Sequence, residues 1–183
     1  MTELALKVLV SYLLGALIGS LIVGRLRGGV DIRTLGSGNA GGTNALRTQG
    51  KAFAFWVLLI DIGKGIIATR LIASLPLAAL GISGTSAVAA EADALRAWLP
   101  VACGFACILG HVYPVWHGFR GGKGVATLIG VLFGLDAFLL LAVTLTWLVM
   151  TMLFGFVGLA SMIAAASVPM RSEERRVGKE CLE

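Results

Sequence analysis

An all-α, polytopic membrane protein is the fold class this sequence predicts, and three observations predict it. Hydrophobic residues make up 57% of the 183 positions and charged residues only 14%. An ordinary soluble domain has an apolar share nearer half, and a more interrupted one. Apolar runs long enough to cross a bilayer recur along the chain, at roughly 20 residues for about 30 Å of hydrocarbon. The formal charge of +5 is carried largely by the connections and the tail, so it speaks to orientation in a membrane and gives no reason to expect nucleic acid. The three cysteines imply no disulfide framework: Cys103 and Cys107 lie in an apolar helix, where cysteine is a small hydrophobe, and Cys181 is in the tail.

Residues 4–23 form the first expected span. No small-residue cleavage pattern follows them and they run into basic residues, so the segment reads as retained. Ser11, Gly15 and Gly19 recur every four residues, a stripe that lets another helix approach closely in lipid. Arg25, Arg27, Arg33, Arg47 and Lys51 then stand against the single acid Asp31. This connection is therefore expected on the cytoplasmic side, with the N-terminus outside. Residues 52–73 form the second span, with Asp61 and Lys64 one helical turn apart near its middle. Burying either alone costs roughly 2.5–3.5 kcal/mol on insertion scales, so the two are expected to pair and to face protein or water. A structural ion pair and a pair supporting a site are both open at this point.

Residues 74–97 read as an outer connection, rich in Gly, Ser, Ala and Pro with Glu91, Asp93 and Arg96. Residues 98–112 are a third, shorter span returning to the cytoplasm. Residues 125–170 are apolar apart from Asp136 and long enough for more than two crossings. Three segments fit (125–135, 137–153 and 161–170), although eleven residues reach only about 17 Å. The count comes to about six crossings.

Two polar islands interrupt this apolar chain. The first, LGSGNAGGTNALR at 35–47, carries glycines at 36, 38, 41 and 42 that free the backbone to curve into an anion-binding nest. Ser37, Asn39, Thr43 and Asn44 add short polar side chains, and Arg47 a fixed positive charge. Such a loop opening a helix suits a phosphate; a flexible linker is the plainer alternative. The second island, HVYPVWHGFRGGKGVAT at 111–127, combines His111 and His117 with Arg120 and Lys123. Two spans separate the islands, so both should emerge on one face and can share one site. The GFRGGKG run lacks the spacing, the following Ser/Thr and the preceding strand of a nucleotide P-loop, which excludes ATP binding of that kind. A Ser–His–Asp hydrolase is unsupported, because no strained elbow surrounds Ser37 and no acid lies near His111 or His117 in the chain.

At these residues the chain resembles the acyl-phosphate-dependent glycerol-3-phosphate acyltransferase family of bacterial inner membranes. GSGNAGGTNALR is similar to the family's first motif, GHVYPVWHGFRGGKGVAT to its second, and VGLASM to its serine-containing turn; DIGKG in the second span also fits. Gly42 stands where alanine is usual and Gly158 where serine is common. The resemblance implies transfer of an acyl chain from acyl phosphate to the 1-hydroxyl of glycerol 3-phosphate, giving lysophosphatidate without coenzyme A or acyl carrier protein; no cofactor or metal is expected. It assigns catalytic roles to Ser37 and Arg47. Substrate or phosphate binding falls to Gly38, Asn39, Thr43, Asn44, His111, Gly121, Gly122, Lys123, Gly124 and Ser161. The expected setting is a bacterial inner membrane with the site facing the cytoplasm, membrane lipid as surroundings, and an oligomeric state the sequence does not give. A mixed anhydride is already activated, so such a site needs anion cradles and alignment more than a strong base.

Plainer roles stand beside these: His111 as an interfacial residue, His117 as structural, Tyr113 and Trp116 as membrane-interface anchors, and Ser161 as a helix cap. A small anion transporter with glycine-rich broken helices is the rival function, although no inverted repeat supports it. Residues 1–170 are expected to form one transmembrane acyltransferase domain. Residues 171–181, RSEERRVGKEC, resemble the translation of a sequencing adapter, so 171–183 read as a non-native tail. The family continues through a seventh span to a third motif with histidine and asparagine, and on that ground this chain is expected to have little or no activity.

Overall fold

The first apolar run is not one continuous helix, and side chains of a later helix fill its break. The computed structural model describes residues 2–76 and 89–154, and all regular structure among them is helical. In order these are α1 (Thr2–Gly15), α2 (Gly19–Leu26), α3 (Gly42–Gln49), α4 (Lys51–Ile66), α5 (Ala89–Val112), α6 (Val125–Leu135) and α7 (Ala137–Phe154). α4 continues directly into a π-helical turn, Ile67–Ile72, and short 3-10 turns lie at Ile32–Thr34 and Val115–His117. The chain divides into two units, Met1–Leu135 and Asp136–Glu183. In the second, Asp136 caps α7, its Oδ1 accepting from Phe138 N at 2.9 Å.

The expectation of a continuous span over 4–23 is corrected. α1 and α2 are bent by 47° across residues 16–18, where the i→i−4 ladder lapses between Ala16 N→Tyr12 O and Ile22 N→Ile18 O. The freed backbone groups find side-chain partners on α4. Among the described residues two helices, Lys51–Ile72 and Ala97–His117, are long and apolar enough to cross a membrane, or three if the bent pair is one span. The Asp61–Lys64 pair forms as expected, with Nζ to Oδ1 at 3.0 Å.

The expected outer connection over 74–97 is also shorter than its composition suggested, because α5 already begins at Ala89. Five alanines, Leu95 and Arg96 favour helix there, and Glu91 and Asp93 suit its first turns. The segments 125–135 and 137–153 appear as α6 and α7. At eleven residues α6 reaches only about 17 Å, short of a bilayer's thickness. The expected segment 161–170 lies outside the described residues.

Glycine sets the distances between helices in the first unit. A Cβ on Gly15 would run into the Cys107 carbonyl of α5, and one on Gly110 into the Tyr12 carbonyl of α1. On the other side, Gly65 of α4 abuts Thr127 of α6, and Gly130 abuts Ile62. The stripe read from Ser11, Gly15 and Gly19 therefore does pack, but the break turns its members to different helices: Gly15 meets α5 and Gly19 meets α4 at Val57. Such contact is how helices gain attraction in lipid, where hydrophobic burial gives no preference for a neighbour. Cations close three helix ends. Lys7 Nζ donates to Ala73 O at 2.8 Å, Arg70 Nε to Gly134 O at 2.6 Å, and Lys64 Nζ to Gly15 O at 2.8 Å.

Gly15→Val should force α1 away from α5 and destabilise the protein by about 1–3 kcal/mol, as overpacking against backbone does. Gly63→Ala is the control, since nothing lies within 4 Å of a Cβ there, and it should be neutral or stabilising by up to ~1 kcal/mol. Thermal unfolding of both variants in the same detergent checks the contrast.

Candidate active site

The glycine loop is built from Asp31 to Gln49. Asp31 opens a 3-10 turn by accepting from Arg33 N at 2.9 Å, and Thr34 Oγ1 donates to Asp31 O at 2.8 Å. Gly36 (φ 57°) and Gly38 (φ 70°) then take left-handed conformations that glycine enters without penalty. The buried Asn44 holds the turn shut. Its Nδ2 lies 2.9 Å from Ile32 O and 3.0 Å from both Leu35 O and Asn39 O, while its Oδ1 accepts from Ser37 N at 3.0 Å. Asn39 Oδ1 accepts from Gly41 N at 3.1 Å, and Ser20 of α2 donates to Ala40 O at 2.7 Å.

Of the residues expected to bind phosphate here, Asn44 is thus committed to the loop itself. Ser37, Gly38, Thr43 and Arg47 are exposed and Asn39 half-buried. α3 has glycine at its N-cap and no side-chain cap, so its first N–H groups are left for water or an anion. A Cβ on Gly42 would meet only the mobile end of Leu58, at 2.7 Å, so the alanine usual in the resembled motif needs no more than a shift of that side chain.

The second loop folds back onto the end of α5. Gly122 N donates to His111 O at 3.1 Å and Gly121 N to Val112 O at 3.2 Å, satisfying carbonyls that the helix end would otherwise leave open. Both positions exclude a Cβ: one on Gly121 would strike the His111 carbonyl, one on Gly122 the His111 ring. Gly121 and Gly122, expected among the substrate-binding residues, give their N–H groups to the end of α5. Gly124 (φ 76°) leads into α6, and Lys123 beside it is exposed. Tyr12 OH donates to Tyr113 O at 2.7 Å, tying the loop to α1.

Arg33 joins the two loops. Its guanidinium donates to both Asp31 oxygens, with NH2 to Oδ2 at 2.7 Å, and its NH1 lies 3.2 Å from His117 O and from Arg120 O. Asp31 is held below its ordinary carboxylate value by the Arg33 guanidinium, and Arg33 is raised by the same partner. The sequence reading did not single out Arg33, although the lone acid Asp31 two residues before it was the available signal. A cleft of about 550 Å³ opens beside this tie, lined by apolar residues including Leu17, Leu21, Ile22 and Trp116 and by Arg25, Asp31, Arg33 and His117. Residues 35–47 do not line it.

Beneath the loops lies a buried cluster. Lys64 Nζ has four neighbours: Gly15 O at 2.8 Å, Leu17 O at 2.9 Å, His111 Nδ1 at 2.8 Å and Asp61 Oδ1 at 3.0 Å. Asp61 Oδ1 also accepts from Gly19 N at 3.2 Å, whereas Oδ2 is buried without a partner among the described residues. His111 Nδ1 also lies 3.4 Å from Asp61 Oδ1, and the ring's other nitrogen, Nε2, faces Gly122. His111 was expected at substrate or at the membrane interface; it is 2% exposed and packed inside the protein. Ser161 lies outside the described residues.

Comparison with known proteins decides what this arrangement belongs to. The family described as glycerol-3-phosphate acyltransferase matches residues 5–172. The chain belongs to that family. A glycerol-3-phosphate acyltransferase of Paramagnetospirillum magneticum (strain ATCC 700264 / AMB-1) is 45% identical over 169 residues, 92% of this chain and 75% of that protein. One of Coxiella burnetii (strain CbuG_Q212) is 40% identical over 165 residues, 90% of this chain and 76% of that protein. Among solved structures, the glycerol 3-phosphate form of PlsY (YgiH), an integral membrane glycerol 3-phosphate acyltransferase, superposes with a TM-score of 0.64 at 35% identity. It is matched over 90% of this chain and 74% of its own. The lysophosphatidic acid form gives a TM-score of 0.63 at the same identity. This acyltransferase is thus an all-helical membrane protein.

The Asp31–Arg33 tie gives a pH expectation for the acyltransferase loops. A carboxylate held low contributes fully above its ordinary value of 3.8 and loses its contribution only as the pH falls through its lower folded value. Hydrogen exchange of residues 113–122, corrected for intrinsic rates, should therefore show unchanged protection from pH 7 to 8, and a loss of protection toward pH 5 would report His117, which burial holds below its ordinary value of 6.5. Asp31→Asn should raise exchange about three- to fivefold throughout, as expected for a half-exposed pair contributing up to ~1 kcal/mol.

Proposed function

We propose that this acyltransferase moves an acyl chain from acyl phosphate to the 1-hydroxyl of glycerol 3-phosphate, releasing phosphate and lysophosphatidate. The observation that carries the reading is the tie made by Arg33, which draws two cationic, glycine-rich loops together within one unit. The reaction brings together two substrates that each carry a phosphate, so it calls for two neighbouring anion cradles. One is offered by the uncapped start of α3 with exposed Ser37, Thr43 and Arg47, the other by exposed Lys123 at the start of α6. Gly38 and Asn39 line the approach to the first.

In this reading the glycerol hydroxyl oxygen attacks the acyl carbonyl carbon and the bond from that carbon to the phosphate oxygen breaks. The hydroxyl proton passes to the departing phosphate. Arg47 and the α3 N–H groups stabilise phosphate charge and Ser37 orients a substrate oxygen, so alignment supplies most of the acceleration. The cleft beside Arg33, lined mostly by apolar side chains with Arg25 and the Asp31–Arg33 pair among them, suits an acyl chain. Residues 1–170 act as one acyltransferase domain in a bacterial inner membrane, with both loops facing the cytoplasm as the excess of arginine favours. An anion transporter is disfavoured because the broken helix ends are already occupied by Lys64 and Asp61, the groups a transported anion or its counter-ion would displace.

Phosphate release from acyl phosphate, with and without glycerol 3-phosphate, tests the reaction. In a version extended at its C-terminus to the length of its curated relatives, Ser37→Ala and Arg47→Ala should each lower transfer at least 100-fold while the protein remains in the membrane. Arg47→Lys should also be poor, since an ammonium cannot make the planar two-point contact of a guanidinium. Normal turnover in the alanine variants would reject these roles, and phosphate uptake into sealed vesicles without chemistry would favour transport.

The shared-face reading is tested separately by single-cysteine labelling at Thr48→Cys and Arg120→Cys. Both should react only with reagent that reaches the cytoplasmic side.

A further inference from the structure

An unbroken series of contacts runs from the bend in the first apolar run to both loops. Lys64 holds the carbonyls of Gly15 and Leu17 on the α1 side of the bend, and Asp61 holds the Gly19 N–H that opens α2. From α2, Ser20 fixes the glycine loop at Ala40. From Lys64, His111 Nδ1 carries the contact to the ring whose other edge packs on Gly122. The polarity is matched throughout: the ammonium sits at the negative end of one helix dipole and the carboxylate at the positive end of the next.

We propose that Asp61 and Lys64 are positioning residues for acyl transfer. They form a polarity-matched clamp that sets the angle between α1 and α2 and thereby the placement of the glycine loop against residues 118–124. The inference rests on the reading that these loops hold the two substrates. Neutralising charge in an apolar interior needs only that the two residues pair, in either order. Closing carbonyls on one side and an N–H on the other needs this order. Displacement of the reacting groups by about 1 Å is enough to lower a bimolecular step in an active site by about 100-fold, so a clamp 42 to 49 residues away in sequence from the backbone it holds is felt in the rate.

Two variants separate the clamp from a plain ion pair: Lys64→Met, and the exchange of Asp61→Lys with Lys64→Asp. Spin labels at Leu46→Cys and Val115→Cys, both exposed, report the distance between the loops, with Cys181→Ser as background and Cys103 and Cys107 buried. Equilibrium binding of radiolabelled glycerol 3-phosphate counts folded sites, and acyl transfer is measured on the same samples, all carrying a C-terminus extended to the length of the curated relatives. In both variants the distance distribution should at least double in width and transfer should fall at least 100-fold. Sites per protein and Kd should stay within threefold. A narrow distribution in Lys64→Met, restoration by the exchanged pair, or loss of binding sites in step with transfer would overturn the clamp. If the unmodified protein neither binds glycerol 3-phosphate nor transfers to it, the proposed function fails instead. The distance measurement needs no substrate and still decides the clamp.

Discussion

The buried pair of Asp61 and Lys64 is the interaction on which the first unit depends, because it makes a broken helix tolerable inside an apolar bundle. A helix interrupted in lipid exposes carbonyl and N–H groups that have no water to turn to, each costing several kcal/mol. A lone buried ammonium or carboxylate costs as much again or more. Placed together at the bend, each penalty offsets the other: Lys64 takes two carbonyls, Asp61 takes one N–H, and the opposite charges lie 3.0 Å apart. Removing one partner would leave the other charge buried and the backbone open at the same point.

The same solution recurs at smaller scale. Lys7, buried and paired with Glu3, closes the end of the α4 segment at Ala73, and Arg70 closes α6 at Gly134. Each places a cation at the negative end of a helix dipole. The side chains reach their targets because glycines bring the helices into backbone contact, at Gly15 and Gly110 between α1 and α5 and at Gly65 and Gly130 between α4 and α6. Close packing and capping are thus one arrangement, and it leaves the loops at the ends of α2, α3 and α5 as the places where polar groups face outward.

In those loops the division of labour follows burial. Asn44, Gly121 and Gly122 are used internally, to shut a turn and to finish a helix. Ser37, Thr43, Arg47 and Lys123 stay exposed and keep their chemistry for a ligand. Arg33 does neither: paired with Asp31 and bonded to carbonyls of the opposite loop, it holds the two polar surfaces in register.

Much of this was legible in the residues alone. Apolar length and charge placement determined a helical membrane protein. The pairing of Asp61 with Lys64 followed from their spacing and from the cost of burying either singly. The two glycine-rich, basic motifs marked the functional region and its family, because φ freedom and cation type are properties of the local chain. Tertiary structure alone decided what was long-range. The bend over residues 16–18 has no local breaker that compels it, and exists because groups 42 to 49 residues later accept its open ends. Likewise, a motif cannot tell whether an asparagine or glycine N–H faces a ligand or its own fold. That depends on which carbonyl of which helix comes within 3.2 Å, and hydrogen-bond partners so far apart in the chain are fixed only when the helices pack.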